Sequence, residues 1–238
     1  MLLRALLLTA ALAGPALADT RPVVVELFTS EGCSSCPPAD DALSAIARSA
    51  AAAGQPIIAL AWHVDYWDRL GWPDPFADPR HTARQTRYAA VLGQRGLYTP
   101  QAVVDGRTDV VGSRRAQLKQ AVTDAGKRAT SATTVRAEVR RHGRRYTVTP
   151  RVDGAPPNAR ILIALTQDGL KIDVPRGENA GRTLRHDHVV RAFAETTAGA
   201  PVTLDAPADA SPARSAIVVL VQDRRGRIHG ATRIRPAG

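Results

Sequence analysis

Cys33 and Cys36 are the two cysteines of this 238-residue chain, and two serines separate them. The pair follows an apolar run at 23–28 that predicts a buried strand, and it precedes an Ala- and Leu-rich segment with helical spacing. The N-terminus of a helix carries partial positive charge and unpaired N–H groups, which favour a thiolate over a thiol. The order strand–CxxC–helix therefore predicts thiol–disulfide chemistry.

The two cysteines are expected to have different roles. Cys33 is the expected exposed nucleophile, with its pKa lowered to about 3.5–7.5, and Cys36 is the expected buried resolving thiol. The alternative is an inert disulfide that closes a tight turn, although so short a loop gives little entropic stabilisation. Because the chain has no third cysteine, a redox cycle needs an external partner protein. The expected substrate is a protein or small thiol or disulfide, and no cofactor is expected.

A second candidate element is Thr99-Pro100, which comes directly before the short apolar strand predicted at 101–104. We expect this proline to be cis and to position the substrate backbone opposite the cysteines. The argument for a cis bond is the position of Pro100 before a short strand. The general frequency does not support it, because only about 5% of X-Pro bonds are cis. The alternative is a trans proline at the start of an edge strand.

Residues 62–78 interrupt the regular pattern and contain all three tryptophans. His63, Asp65 and Asp68 fit either a metal or acid–base cluster beside the cysteines or ordinary packed and hydrogen-bonded side chains. Two Cys with one His would suit a soft metal such as copper, but the spacing matches no standard metal motif, and we assign no metal site. The aromatic residues, Trp67 among them, fit either an apolar wall for a peptide or a satellite core. His63 and Trp67 are therefore auxiliary candidates.

The order of predicted elements indicates the fold class and the domains. Up to residue 128 the order is β-α-β-(insert)-α-β-β-α, which predicts an α/β thioredoxin-like domain over 19–128 with an insert at 62–78. From about residue 130 short strands alternate with turn signals, which predicts an all-β sandwich-like domain over 129–238. The sequence His186-Asp187-His188 in that half is interpreted as a solvated strand edge.

The first eighteen residues have the pattern of an export signal. Arg4 supplies the positive charge, an apolar stretch follows, and small residues at 16 and 18 predict cleavage after Ala18. The apolar stretch is shorter than the roughly 20 residues of a membrane span, so we predict a periplasmic or secreted protein with no membrane span. The formal net charge is +10, but the arginines are scattered and no nucleic-acid motif is present, so no nucleic-acid partner is expected.

At this level of detail the chain resembles the secreted bacterial domain-of-unknown-function family numbered 1223 (DUF1223). The resemblance rests on three segments and extends more weakly to a fourth: Val25–Asp40, His63–Asp68, Tyr98–Gly106 and Gly177–Leu184. It implies a thioredoxin-like N-terminal domain and a location in the bacterial envelope. It implies no reaction, because the family has no assigned substrate.

One position departs from ordinary thioredoxins. The buried aspartate near their cysteines falls here on Leu27, and Glu26 next to it would act as a proton shuttle only if its side chain faces the cysteines. The leading hypothesis is an exported thiol–disulfide oxidoreductase acting through Cys33 and Cys36. The alternatives are an envelope binding or assembly module with a purely structural disulfide and, third, a copper-handling protein.

Overall fold

The computed structural model describes residues 21–129, 132–197 and 199–236. The predicted export signal at 1–18 lies outside these residues. The first half contains four strands, three α-helices and a short 3-10 helix: β1 (Val23–Thr29), α1 (Pro37–Ala52), β2 (Ile57–His63), the 3-10 helix (Asp68–Leu70), α2 (Pro79–Leu92), β3 (Gln101–Val104), β4 (Thr108–Val111) and α3 (Arg115–Lys127).

The second half is built from strands, with one further 3-10 helix at Pro212–Arg214. The strands are β5 (Thr134–His142), β6 (Arg145–Asp153), β7 (Arg160–Gln167), β8 (Leu170–Val174), β9 (Arg182–His186), β10 (Val189–Thr196), β11 (Val202–Asp205), β12 (Ser215–Gln222) and β13 (Ile228–Ile234). Of these, β8, β9 and β11 were not predicted from the sequence.

The expected fold class, an α/β thioredoxin-like domain followed by a separate β-sandwich, is wrong. The described chain is mostly β, and strands from both halves form one mixed sheet of eight strands in the order β13-β12-β7-β10-β2-β1-β3-β4. The join is made by β10, which pairs in parallel with β2 at Val189 and Ala61; the Ala61 N–H donates to the His188 carbonyl at 2.8 Å. The free edge of β2 is thus covered by the second half of the chain, because an exposed edge would leave backbone groups unpaired.

Both faces of this large sheet are covered. On one face, α2 packs on an apolar cluster that combines Trp62 with Leu162 and Leu220. On the other face, α1 and α3 cover β1 and β2, while a three-stranded sheet, β11-β6-β5, covers β7 and β12. Because both faces of the sheet are covered, its central strands carry apolar side chains on both sides.

Individual residues fix the ends of α2 and the turn between β3 and β4. The Asp78 side chain caps α2 by accepting a hydrogen bond from the Arg80 N–H at 2.8 Å, and Gly93 ends that helix with a φ of 70°. Gly106, in the turn between β3 and β4, must be glycine: a Cβ placed there would lie 1.7 Å from the Gly226 carbonyl oxygen.

Candidate functional site

The cysteine turn lies between the end of β1 and the first turn of α1. Cys33 and Cys36 form a disulfide with their Cα atoms 5.4 Å apart, and Cys36 is the N-cap of α1. Both cysteines have 0% exposed surface, whereas Ser34 and Ser35 between them are exposed. Cys33, expected to be exposed, is therefore buried. The Ser35 Oγ lies 3.5 Å from the Cys33 Sγ, so a serine hydroxyl is in place beside that sulfur.

The loop that joins β8 to β9, in the second half of the chain, packs on the cysteine turn. We call residues 175–181 the cap. The buried Asn179 carboxamide donates to the carbonyls of Glu31 (2.8 Å) and Cys33 (3.0 Å). The Glu178 carboxylate accepts a hydrogen bond from the Ser34 N–H at 3.0 Å. The cap thus satisfies the backbone groups of the cysteine turn and closes it off.

Trp67 connects the cysteine turn to the predicted proline site. Its indole N–H donates to the Thr99 Oγ1 at 2.8 Å. A Cβ added to Gly32 would lie 3.1 Å from the Trp67 Cβ, so the tryptophan packs directly on the residue before Cys33. The Thr99–Pro100 peptide bond is cis, which confirms that prediction.

Gly112 explains how closely α1 approaches the strand after the cis bond. A Cβ at this position would lie 2.7 Å from the Leu27 Cδ1, 3.0 Å from the Ala39 Cβ and 3.5 Å from the Pro100 Cβ. Its N–H donates to the Pro100 carbonyl at 2.9 Å. The absent side chain therefore lets the proline, β1 and the first turns of α1 meet.

A group of buried titratable side chains lies next to the cysteine turn, at the ends of β1 and β2. We call it the acid–histidine cluster, and its members are Glu31, Asp40, His63, Asp74 and His186. The His63 Nδ1 lies 2.7 Å from the Asp74 Oδ2, and the His186 Nε2 lies 3.2 Å from the Glu31 Oε1. The two imidazole centroids are 4.9 Å apart. Every member is less than 9% exposed.

The hydrogen bonds of this cluster are incomplete. Two of its buried nitrogens, His63 Nε2 and His186 Nδ1, have no hydrogen-bond partner among the described residues, and the His186 Nε2 and Glu31 Oε1 have only each other, at 3.2 Å. The other Glu31 oxygen accepts from the Trp72 indole N–H at 2.8 Å. Unpaired buried polar atoms are costly, so this cluster is a candidate functional group.

Two carboxyls of the cluster have pKa values shifted in opposite directions. Burial raises the pKa of Asp40 to about 7, although the charge of His186 and the hydrogen bond from Thr29 act against it. Burial also acts to raise the pKa of Asp74, but the neighbouring His63 and the N–H donors of Glu31 and Phe76 outweigh it and lower that pKa. The cluster therefore contains one carboxyl that titrates near neutral pH and one held ionised.

The remaining sequence candidates have other roles in the packing. The Glu26 carboxylate is bound by the buried guanidinium of Arg84 at 2.6 and 2.8 Å. It lies on the face of β1 opposite to Leu27, so it faces α2 and not α1. Asp65 accepts a hydrogen bond from the Thr82 hydroxyl, and Asp68 accepts one from the Asp74 N–H.

His186 is the residue of this site that sequence reasoning misassigned. It is 3% exposed and contacts Glu31 and His63, so the interpretation of His186-Asp187-His188 as a solvated edge is wrong for its first member. Strand β9 alternates between exposed residues and the buried Leu184 and His186. That alternation was the available signal. Within the described ranges no group of three or more His, Cys, Asp or Glu residues is arranged to hold a metal ion.

The fold and the site define a protein with one mixed sheet and a CxxC disulfide at a helix N-terminus, closed by a hairpin from the opposite half of the chain. The chain belongs to the family described as protein of unknown function DUF1223, whose family model matches residues 24–222. None of the curated proteins matches it. Among the helices of the described ranges, none is both long and apolar enough to cross a membrane.

The solved structures that are similar to this chain include the following two. Protein AGR_C_4864 from Agrobacterium tumefaciens, an X-ray crystal structure, is 31% identical, with a TM-score of 0.67 over 91% of this chain and 95% of that one. HBP35 of Porphyromonas gingivalis is 15% identical, with a TM-score of 0.64 over 91% of this chain and 75% of that one. At 15% identity the second likeness concerns the fold alone.

Proposed function

We propose that the chain carries out thiol–disulfide exchange and that its reacting bond is Cys33–Cys36. The observation that supports this most directly is the disulfide at the start of α1, linked through Trp67 to the cis Thr99–Pro100 bond. In the proposed reaction Cys33 forms the mixed disulfide with the substrate, Cys36 resolves it, and Thr99–Pro100 positions the substrate chain.

Exchange at this bond includes a displacement of the cap. Both cysteines are fully buried, and in the proposed reaction residues 175–181 move away before an incoming thiolate reaches the Cys33 Sγ. Three hydrogen bonds from Asn179 and Glu178 hold the cap on the turn. At about 0.5–1.5 kcal/mol net for each ordinary hydrogen bond, opening costs a few kcal/mol, which a protein samples as a minor state.

The proposed setting is outside the cytoplasm, as the export pattern at 1–18 predicts. A disulfide is stable in such a compartment. Since Cys33 and Cys36 are the whole cysteine content of the chain, a second protein must return the pair to its starting redox state. The expected substrate is a protein or small thiol or disulfide.

The proposal is tested by trapping the mixed disulfide. A Cys36→Ser variant expressed in cells should accumulate adducts joined through Cys33, which non-reducing gels would resolve and mass spectrometry would identify. A Cys33→Ser, Cys36→Ser double variant is the matched control and should accumulate none. Absence of adducts in the single variant would contradict the proposal.

The second candidate function is a binding or assembly module in which the disulfide is only structural. The complete burial of both cysteines favours it. A structural disulfide typically has a reduction potential below about −300 mV. Equilibration of the purified protein with thiol buffers distinguishes the two, because an exchanging pair should have a higher potential than that.

A further inference from the structure

Asp40 lies one helical turn after Cys36 and is buried on the same side of α1. Its N–H donates to the Cys36 carbonyl at 3.1 Å, so the two residues have the i, i+4 relation. Helix side chains four apart share one face, and the later one leans back toward the helix N-terminus. The Asp40 carboxyl is therefore directed toward the disulfide end of α1, where its Oδ2 accepts a hydrogen bond from the Thr29 hydroxyl at 3.2 Å.

No arginine or lysine of the described residues forms an ion pair or hydrogen bond with Asp40. The charged or titratable groups that face it are His186 on β9, Asp74 in the loop before α2, and Asp41 on its own helix. Asp74 accepts three hydrogen bonds of its own and Asp41 is exposed. Thr29 is its one neutral donor, and the charge of His186 favours the carboxylate, but burial outweighs both and keeps the carboxyl protonated up to about neutral pH.

We infer that Asp40 exchanges a proton with the Cys36 sulfur each time the Cys33–Cys36 disulfide opens or closes. During reduction by a dithiol, one thiolate of the reductant attacks the Cys33 Sγ and the S–S bond breaks. Cys36 leaves with the electron pair and takes the proton of Asp40. The second thiolate of the reductant then closes the reductant's own disulfide and releases Cys33.

In the opposite direction the steps reverse. The Cys36 thiol gives its proton to the Asp40 carboxylate as its sulfur attacks the mixed disulfide on Cys33, and the substrate leaves as a thiolate. Glu26, the carboxyl that the sequence offered for this role, lies on the other face of the sheet and is bound by Arg84. Asp40 is the carboxyl on the cysteine side whose proton is available near neutral pH.

The experiment measures reduction of the purified protein by dithiothreitol from pH 5.5 to 8.5, with each rate divided by the concentration of reductant thiolate. Acid quench, alkylation of the new thiols and mass spectrometry give the rate. Because Asp40 donates only while protonated, the corrected rate should fall about tenfold between pH 6 and pH 8, as expected for a general acid of pKa about 7.

Two variants on the same helix turn separate proton transfer from a structural role. Asp40→Asn should be at least about tenfold slower than the parent at pH 6 and equal to it at pH 8.5, so its profile is flat. Asp41→Asn removes the same charge from the exposed neighbouring position and should keep the parent profile. A uniform loss of rate in Asp40→Asn at every pH, or a flat profile in the parent, would overturn the inference.

A third variant identifies which group titrates and needs no substitution of Asp40. The charge of His186 lowers the pKa of Asp40, so His186→Gln should move the inflection of the rate profile to higher pH. If His186→Gln abolished the inflection instead, His186 would be the acid and the inference would be wrong. The biological meaning of the step rests on the proposed function, but the measurement uses dithiothreitol alone. Missing adducts in cells would therefore remove the proposed function without changing this profile.

Discussion

Two buried polar clusters lie on opposite faces of the same sheet, and they are built on different principles. On the α2 face, Glu26 is held by Arg84, and Tyr88 and Gln222 complete the group. We call it the Arg84 cluster. On the α1 face, the acid–histidine cluster contains carboxyls and imidazoles, with two ring nitrogens unpartnered and no arginine or lysine bound to it among the described residues.

The two clusters differ in whether their protonation state can change near neutral pH. A guanidinium is always charged, and the Glu26 carboxylate raises the pKa of Arg84 further, in spite of the burial that would lower it. The Arg84 cluster therefore keeps one state and stabilises the join between the two halves of the chain. In the acid–histidine cluster, which is the cluster beside the disulfide, burial raises the pKa of Asp40 to about 7, so this carboxyl gains and loses a proton near neutral pH. We interpret the first as structural and the second as functional.

The largest expected effect is the loss of the buried arginine. Arg84→Met leaves Glu26 as an unpaired buried charge and should lower the free energy of unfolding by about 3–5 kcal/mol, measured by urea denaturation. Arg87→Met removes a half-exposed arginine that pairs with Glu195, and it should cost no more than about 1 kcal/mol. Equal losses in the two variants would mean that the Arg84 cluster is not the structural one.

The second prediction concerns the pH dependence of stability. The folded pKa of Asp40 is raised, so the folded state holds a proton that the unfolded state releases. The contribution of this proton to the free energy of unfolding is complete below about pH 4 and is lost as the pH rises to about 7. Over that range the free energy of unfolding falls by up to about 1.4 kcal/mol per pH unit. Asp40→Asn should remove this slope from denaturation curves taken between pH 5 and pH 7.5, while Asp41→Asn should keep it. An unchanged slope in Asp40→Asn would place the titration elsewhere.

The third prediction tests the cap. Asn179→Ala removes two hydrogen bonds to the cysteine turn and should speed reduction of the disulfide by dithiothreitol about tenfold, because the cap then opens more often. Thr183→Ala, at an exposed position on the same hairpin, is the control and should leave the rate unchanged. If Asn179→Ala reacted no faster than the parent protein, opening of the cap would not limit access.

The smallest expected effect is at Glu178, the exposed member of the cap. The hydrogen bond from Ser34 lowers the pKa of this carboxyl, so it is ionised at neutral pH. Glu178→Gln keeps an acceptor but removes the charge, and it should speed the same reduction by about twofold at low ionic strength and less in 0.5 M salt. An effect as large as that of Asn179→Ala would show that charge, and not the buried carboxamide, holds the cap.

The first half of the chain could be read from its sequence with few errors. The CxxC pair and the cis bond at Thr99–Pro100 depend on neighbouring residues, and the structure contains the disulfide and the cis bond. The face occupied by Glu26 could not be read. Strand β1 is buried on both sides, so its periodicity carries no information about which residue faces α1.

The errors concern partners that are distant in the sequence. Strands β8 and β9 are short and mostly exposed, so their apolar pattern is weak, and the cap that they carry was missed. The pairing of β10 with β2 is determined by which edge remains free when the helices have packed, and no local pattern encodes that. The expected fold class, an α/β domain followed by a β-sandwich with its own sheets, was wrong for this reason.

By itself the sequence determined the local chemistry: two cysteines at a helix start and a proline before a strand. These depend on short-range sterics and hydrogen bonding, which act within a few residues. The tertiary structure decided that one sheet joins both halves, that Asn179 binds the cysteine turn, and that Asp40 lies beside His186 with no arginine or lysine of the described residues bound to it. Those outcomes depend on burial, because a polar group's state is set by what surrounds it after folding.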